Sequence, residues 1–329
     1  MKILMTSVRD DEQAAIKEYA QKNNVEIITT PKLIDDAVDM TADVDGLVIQ
    51  QRSKLPADIY PKLKANGLTQ IATRTAGFDM VDIRKAHENG LTVTNVPAYS
   101  PRSVAEHALM QIFRLLRKSY MFDQQVANND YRWFSNEQAI EIHTATIGII
   151  GVGRIGGTLA KLLHSLGATV LGYDIKPRDD LDGIVKFVSK EELLKHADVV
   201  SLHVDLNPTS EGLITANDFA LMKASAGLVN ASRGPVVVTA DLVTALKNKE
   251  IAAAALDTFE GENQVVMTDR RKKGLADVPL VQELHEMDNV ILTPHIAFFT
   301  NRAVQNMVDF SLDDVRLILA GKSSPHEIK

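Results

Sequence analysis

The chain has 329 residues, 45% of them hydrophobic and 24% charged, with a formal net charge of −7. That length suits two domains, and the acidic balance offers no basic footprint for nucleic acid or an anionic membrane surface. The absence of cysteine excludes disulfides, thiolate metal sites and cysteine nucleophiles, and suits a reducing, cytoplasmic setting.

The chain opens on MKILMTSVRDDEQ, a short apolar run soon followed by acids, which reads as a first strand rather than a signal peptide. No later apolar run approaches the ~20 residues of a membrane span. Strands are expected at Ile3–Val8, Gly46–Gln50, Thr69–Thr73 and Leu91–Asn95, with helical segments between them. In 101–128, Val104, Ala105, Ala108, Leu109, Ile112, Leu115 and Leu116 keep the helical period. Strands resume at Ala145–Ile150, Thr169–Asp174, Val199–Val204, Gly227–Ala231, Ala252–Asp257 and Val290–Thr293. This alternation predicts an α/β protein with two Rossmann-like, doubly wound parallel sheets. Val304, Val308, Leu312, Val315 and Leu319 then mark a final amphipathic helix.

Ser189 and Glu192 form a capping-box pattern, and Thr215 and Thr239 are candidate caps for the next two helices. Residues 263–281, with Arg270, Arg271, Lys272 and Lys273, read as a solvated surface excursion rather than a polyanion site. Residues 128–143 form a second irregular stretch holding Trp133, whose ring can bury on a second subunit or on its own domain.

Gly151-Val152-Gly153-Arg154-Ile155-Gly156 follows a strand and opens a helix, and Asp174 ends the next strand. That context distinguishes a dinucleotide site from a ligand-free glycine turn. Gly151 allows the tight turn, Gly153 the approach of a pyrophosphate, and Gly156 the packing of helix on strand. A carboxylate at 174 accepts from a ribose 2′-OH and repels a 2′-phosphate, so NAD is favoured over NADP despite Lys176 and Arg178 nearby.

Asn230-Ala231-Ser232-Arg233-Gly234, Leu256 to Glu262, and Thr293-Pro294-His295 each follow a strand. An arginine, carboxylates and a histidine at three strand ends suit reduction of a 2-oxo acid. The arginine fork takes a carboxylate, and a histidine held by a carboxylate protonates the carbonyl oxygen. Taken singly, each has a plainer reading, as a surface ion pair or a structural histidine.

Together with Arg74-Thr75-Ala76-Gly77-Phe78-Asp79, Asn95-Val96-Pro97-Ala98-Tyr99-Ser100-Pro101, Ala105-Glu106-His107 and Thr293 to Phe298, these motifs make the chain resemble the D-2-hydroxyacid dehydrogenase family nearly end to end. The likeness is to its D-lactate and D-2-hydroxyisocaproate dehydrogenase branch. It implies an NAD-binding Rossmann domain at 100–297, inserted into a substrate domain made of 1–99 and 298–329. It also implies a dimer built through the helix after Pro101.

By the same resemblance Arg233 binds the substrate carboxylate and carbonyl, His295 is the acid/base, and Glu262 keeps it protonated. The N–H groups of Ala76 and Gly77 hold the carboxylate, Tyr99 closes the pocket, and Gln50 and Phe298 line it. Arg154 and Ile155 touch the pyrophosphate and adenosine side, and Asp174 the ribose. Val204, Asp205, Ser210, Ala231, Ser232 and Asp257 line the rest of the cofactor. No metal is expected. The implied reaction is reduction of pyruvate or a related small 2-oxo acid to the D-2-hydroxy acid.

Three positions depart from the branch. Asp205 stands where relatives place proline, Phe299 replaces a tyrosine, and Gln50 replaces Tyr or Leu. The last two bear on chain length, so a preference for larger substrates such as 2-oxoisocaproate or phenylpyruvate is the alternative. A phosphoglycerate dehydrogenase would be expected to carry a regulatory extension after the last helix, and a formate dehydrogenase a glutamine at 262. An NADH-sensing corepressor of the same fold is the reading from another class.

Overall fold

The computed structural model describes residues 1–51 and 53–329, which divide into two compact units. One is Met1–Ser100 with Phe299–Lys329, the other Pro101–Phe298.

The first unit holds β1 (Lys2–Met5), β2 (Glu26–Thr29), β3 (Gly46–Ile49), β4 (Gln70–Thr73), β5 (Thr92–Thr94) and the C-terminal β13 (Glu327–Ile328). Its helices are α1 (Gln13–Asn23), α2 (Ile59–Ala65), α3 (Ile83–Glu88) and α11 (Asn301–Leu319). The sheet order is β13-β5-β4-β3-β1-β2, parallel except for β13, which runs antiparallel to β5. The strand order reverses at β1 and β3, so the ends of these two strands flank the crevice where open α/β sheets take ligands. β2 was not among the expected strands. It is a part-exposed edge whose apolar run is only Ile27 and Ile28, too short to stand out by periodicity.

The final helix docks as its pattern predicts, burying Val304, Val308, Leu312 and Val315. Gly46 makes this possible: a Cβ there would overlap Val315.

The second unit holds β6 (Thr146–Ile150), β7 (Thr169–Tyr173), β8 (Lys186–Phe187), β9 (Val199–Leu202), β10 (Gly227–Asn230), β11 (Ala253–Leu256) and β12 (Val290–Leu292). Its helices are α4 (Pro101–Leu116), α5 (Ser119–Ala127), α6 (Arg154–Ser165), α7 (Lys190–His196), α8 (Ala216–Phe219), α9 (Thr239–Lys247) and α10 (Pro279–Glu286). The all-parallel order β12-β11-β10-β9-β6-β7-β8 places the switch between β6 and β9. Strands such as Gly227–Asn230 and Ala253–Leu256 are buried throughout, as a sheet covered on both faces requires.

The segment expected as one helix from Pro101 is two, because Lys118 adopts a left-handed conformation (φ 51°) that interrupts the hydrogen-bond ladder. Ser189 does cap α7, accepting from Glu192 N at 3.1 Å, but the Glu192 carboxylate turns toward Lys186 instead of completing the box. At Thr215 the Asp218 carboxylate takes both the N–H and the hydroxyl of the threonine, each at 3.0 Å. Thr239 is not a cap. It is the first residue of α9, and its N–H is taken by Glu260 Oε2 at 3.0 Å. Among the described residues no helix is long and apolar enough to cross a membrane.

Candidate active site

The glycine loop lies at the end of β6. Gly151 has φ +89°, and a Cβ on it would meet the backbone of His203. Gly156 packs so closely that a Cβ would overlap Gly151 O, fixing helix against strand. By contrast nothing lies within 4 Å of the Cβ position of Gly153. Two glycines are therefore dictated by packing within the protein, and the third leaves open space at the N-terminus of α6. Those are the conditions a pyrophosphate needs.

The Asp174 carboxylate accepts from Val152 N at 2.7 Å and from Lys176 N at 2.8 Å, which pins it beside the loop. Arg178 is directed elsewhere. It forms a two-point pair with Asp180 and donates to Gly153 O at 2.9 Å. A guanidinium so engaged is poorly placed to receive a 2′-phosphate, which strengthens the preference for NAD.

Arg154 is exposed at the start of α6, while Ile155 packs on the small cluster of Val104, Ala231 and Ala297. After β9, Val204 is half-buried and Asp205 exposed. Ser210, only 5% exposed, donates to Asp205 O and accepts from Asn207 N, which closes that loop on itself.

The Arg233 turn is built by a residue the sequence reading left without a role. Asn230 Oδ1 accepts from the Ser232 N–H and hydroxyl, and Asn230 Nδ2 donates to Arg233 O at 3.0 Å. An asparagine ending a strand before a turn was the available signal. Gly234 then passes so near the Phe259–Glu260 backbone that no Cβ fits. Half-buried Arg233 also donates to Ser232 O at 2.8 Å.

His295 and Glu262, 33 positions apart, meet with Nδ1 3.2 Å from Oε1. His295 has φ +55°, a conformation that costs a non-glycine residue about 1–2 kcal/mol. Asp257 restrains it. Its carboxylate, 1% exposed, accepts from Thr293 Oγ1 at 2.6 Å, Ile296 N at 2.9 Å and Ala297 N at 2.8 Å. Its backbone oxygen takes His295 N at 3.0 Å. Asp257, expected at the cofactor, clamps the histidine turn. Phe298 lies edge-on to His295, with centroids 6.4 Å apart.

A family model described as "D-isomer specific 2-hydroxyacid dehydrogenase, NAD binding domain" matches residues 109–297. The chain is 39% identical to a D-lactate dehydrogenase of Staphylococcus aureus over 313 residues, 95% of this chain and 94% of that one. The chain belongs to the D-isomer specific 2-hydroxyacid dehydrogenases. Among solved members of the family, a D-lactate dehydrogenase from Sporolactobacillus sp. is 51% identical, with TM-score 0.86, covering 100% of this chain and 99% of that one. An NAD-complexed D-isomer specific 2-hydroxyacid dehydrogenase from Lactobacillus delbrueckii ssp. bulgaricus is 35% identical over the whole of both chains, with TM-score 0.87. This dehydrogenase is accordingly an NAD-dependent oxidoreductase.

The expected substrate-side residues of this family lie in the first unit, apart from Arg233 and Phe298. Ala76 O accepts from Asn95 Nδ2 and Gly77 O from Thr75 Oγ1, each at 2.6 Å. Among the described residues neither N–H of this pair has an acceptor, so two adjacent donors remain available. Tyr99 is half-buried, with its carbonyl held by Asn306. Gln50 stands at the end of β3, at the switch of the sheet, and its Oε1 accepts from Arg9 at 2.8 Å and Arg74 at 3.2 Å.

Proposed function

We propose that this enzyme reduces pyruvate, or a related small 2-oxo acid, to its D-2-hydroxy acid. The meeting of His295 Nδ1 with Glu262 Oε1 carries the reading. With Nδ1 facing the carboxylate, Nε2 is the nitrogen left to give a proton to the carbonyl oxygen. Arg233 takes the substrate carboxylate through its planar fork and polarises the carbonyl. Within the first unit, the adjacent N–H groups of Ala76 and Gly77, without acceptors among the described residues, are donors that suit a carboxylate. When bound at the Gly151–Gly156 loop and Asp174, NADH supplies the hydride. Residues 101–298 are read as the NAD domain, and 1–100 with 299–329 as the substrate domain.

The test is loss of NADH absorbance with pyruvate, repeated with Arg233→Ala. Losing one partner of a buried charge pair costs roughly 2–5 kcal/mol, or about 30- to 4,000-fold in kcat/KM. Arg233→Lys recovers only part of this. Near-normal kcat/KM in Arg233→Ala overturns the assignment, and a wild-type protein that binds NADH without turning over any 2-oxo acid favours the sensor reading.

The enzyme is further read as a cytoplasmic homodimer. Tyr131 and Trp133 are 74% and 81% exposed in the isolated chain, so the arm after α5 does not bury these rings on its own unit. A second subunit is the partner that would cover them. Sedimentation velocity of the wild type and of Trp133→Ala tests this.

A further inference from the structure

His107 belongs to a motif that the reaction has not used. It lies on α4 with its side chain 9% exposed, and its Nε2 is 3.3 Å from Thr293 Oγ1 and 3.6 Å from Asp257 Oδ1. The Thr293 hydroxyl has one proton, and the 2.6 Å contact directs it to Asp257 Oδ1. The threonine oxygen can therefore only accept from His107, and Asp257 Oδ1 faces the same nitrogen, so Nε2 carries hydrogen. The Gln111 amide 3.2 Å away then turns its oxygen, not its NH2, toward that hydrogen. Burial pushes the His107 imidazole below its ordinary range, against the pull of Asp257, which favours the neutral ring.

Three successive links then run to the acid/base residue. His107 orients the Thr293 hydroxyl, that hydroxyl and two N–H groups fill the Asp257 carboxylate, and the filled carboxylate fixes residues 293, 296 and 297 around His295. His295 is the residue held at φ +55°, so something must hold the turn against relaxation. We propose that His107 is a positioning residue for the reaction, holding through Thr293 and Asp257 the strained turn that presents His295 to Glu262. The catalytic part of this rests on the dehydrogenase reading above. The clamp itself does not.

The experiment combines hydrogen exchange with kinetics on the full-length enzyme. His107→Phe keeps a ring but removes the donor, His107→Gln returns an N–H near the same place, and Thr293→Val removes the hydroxyl with His107 intact. In His107→Phe the Ile296 and Ala297 amides should exchange about tenfold faster. A displaced proton donor should lower kcat about 10- to 100-fold, while NADH affinity by fluorescence stays within about twofold. His107→Gln should regain most of both. The effects of His107→Phe and Thr293→Val should fail to add, because they break one chain of contacts.

Additive losses, or wild-type exchange and kcat in Thr293→Val, overturn the proposal. If His107→Phe does not fold, His107→Gln and Thr293→Val still decide it. A wild type without turnover would defeat the functional reading alone, because exchange at 296 and 297 still reports the clamp.

Discussion

Glu262 Oε1 lies 3.2 Å from His295 Nδ1, although the second oxygen of the same carboxylate is buried without a hydrogen-bond partner among the described residues. One carboxylate is thus committed to one imidazole, and its charge is its main service. Glu262→Gln retains a polar contact at Nδ1 but replaces a charge-assisted hydrogen bond by a neutral one. Oxo-acid reduction draws its proton from this ring, so kcat/KM should fall about tenfold in Glu262→Gln. His295→Ala should abolish reduction. The measurement is kcat/KM with pyruvate, and an unchanged value in Glu262→Gln removes the carboxylate from the reaction.

Asp174 is predicted to set cofactor choice. Among the described residues it is the only acceptor for Val152 N, and Arg178 beside it is taken up by Asp180 and Gly153 O. Asp174→Ala removes a ribose acceptor and the repulsion of a 2′-phosphate together. Hydrogen bonds to a charged group contribute roughly 1.5–3 kcal/mol, so NADH affinity should fall about 10- to 100-fold while the gap to NADPH narrows. Titrating both cofactors by fluorescence checks this. A wild type that binds them equally would remove the argument.

Arg74 and Glu12 form an ion pair at 3.0 Å with both side chains 0% exposed. Burial pushes the guanidinium down from its ordinary value, and Glu12 is the main opposing influence. Arg74 also donates to Thr6 O and Ser7 O, tying β4 to the end of β1. Glu12→Gln leaves a buried cation without its anion and should destabilise the protein by about 3–5 kcal/mol in urea unfolding. A loss below about 0.5 kcal/mol would show that Asp11 and water replace the glutamate.

Gln50 carries the prediction on substrate size. Guanidinium groups can only donate, so the Gln50 oxygen must face Arg9 and Arg74, and its NH2 group takes the other side. Gln50→Leu should raise the ratio of kcat/KM for phenylpyruvate to that for pyruvate, and Gln50→Tyr should lower it. One methylene changes discrimination by only ~1–3 kcal/mol, so the preference is graded. An unchanged ratio in both variants places Gln50 outside the pocket wall.

Sequence by itself determined the parallel-sheet architecture, the glycine loop with its acid, and the final helix. Each of these is written in local periodicity or in a motif whose residues are near neighbours. The runs of β1, β3, β9, β10 and β11 were legible because they are buried on both faces, but the expected strands overran their ends, to Val8 where β1 stops at Met5 and to Val204 where β9 stops at Leu202. Short edge strands were not: β8 has two residues and β13 pairs across more than two hundred positions with β5. Only tertiary structure decided that Thr239 starts a helix, because Glu260 from another loop takes its N–H. Only it could show that Gln50 answers to two arginines, that Arg178 is occupied, and that Asp257 and His107 converge on the turn at His295. Hydrogen bonds between residues far apart in the chain leave no periodic trace, because their geometry exists only after the sheet has brought the strand ends together.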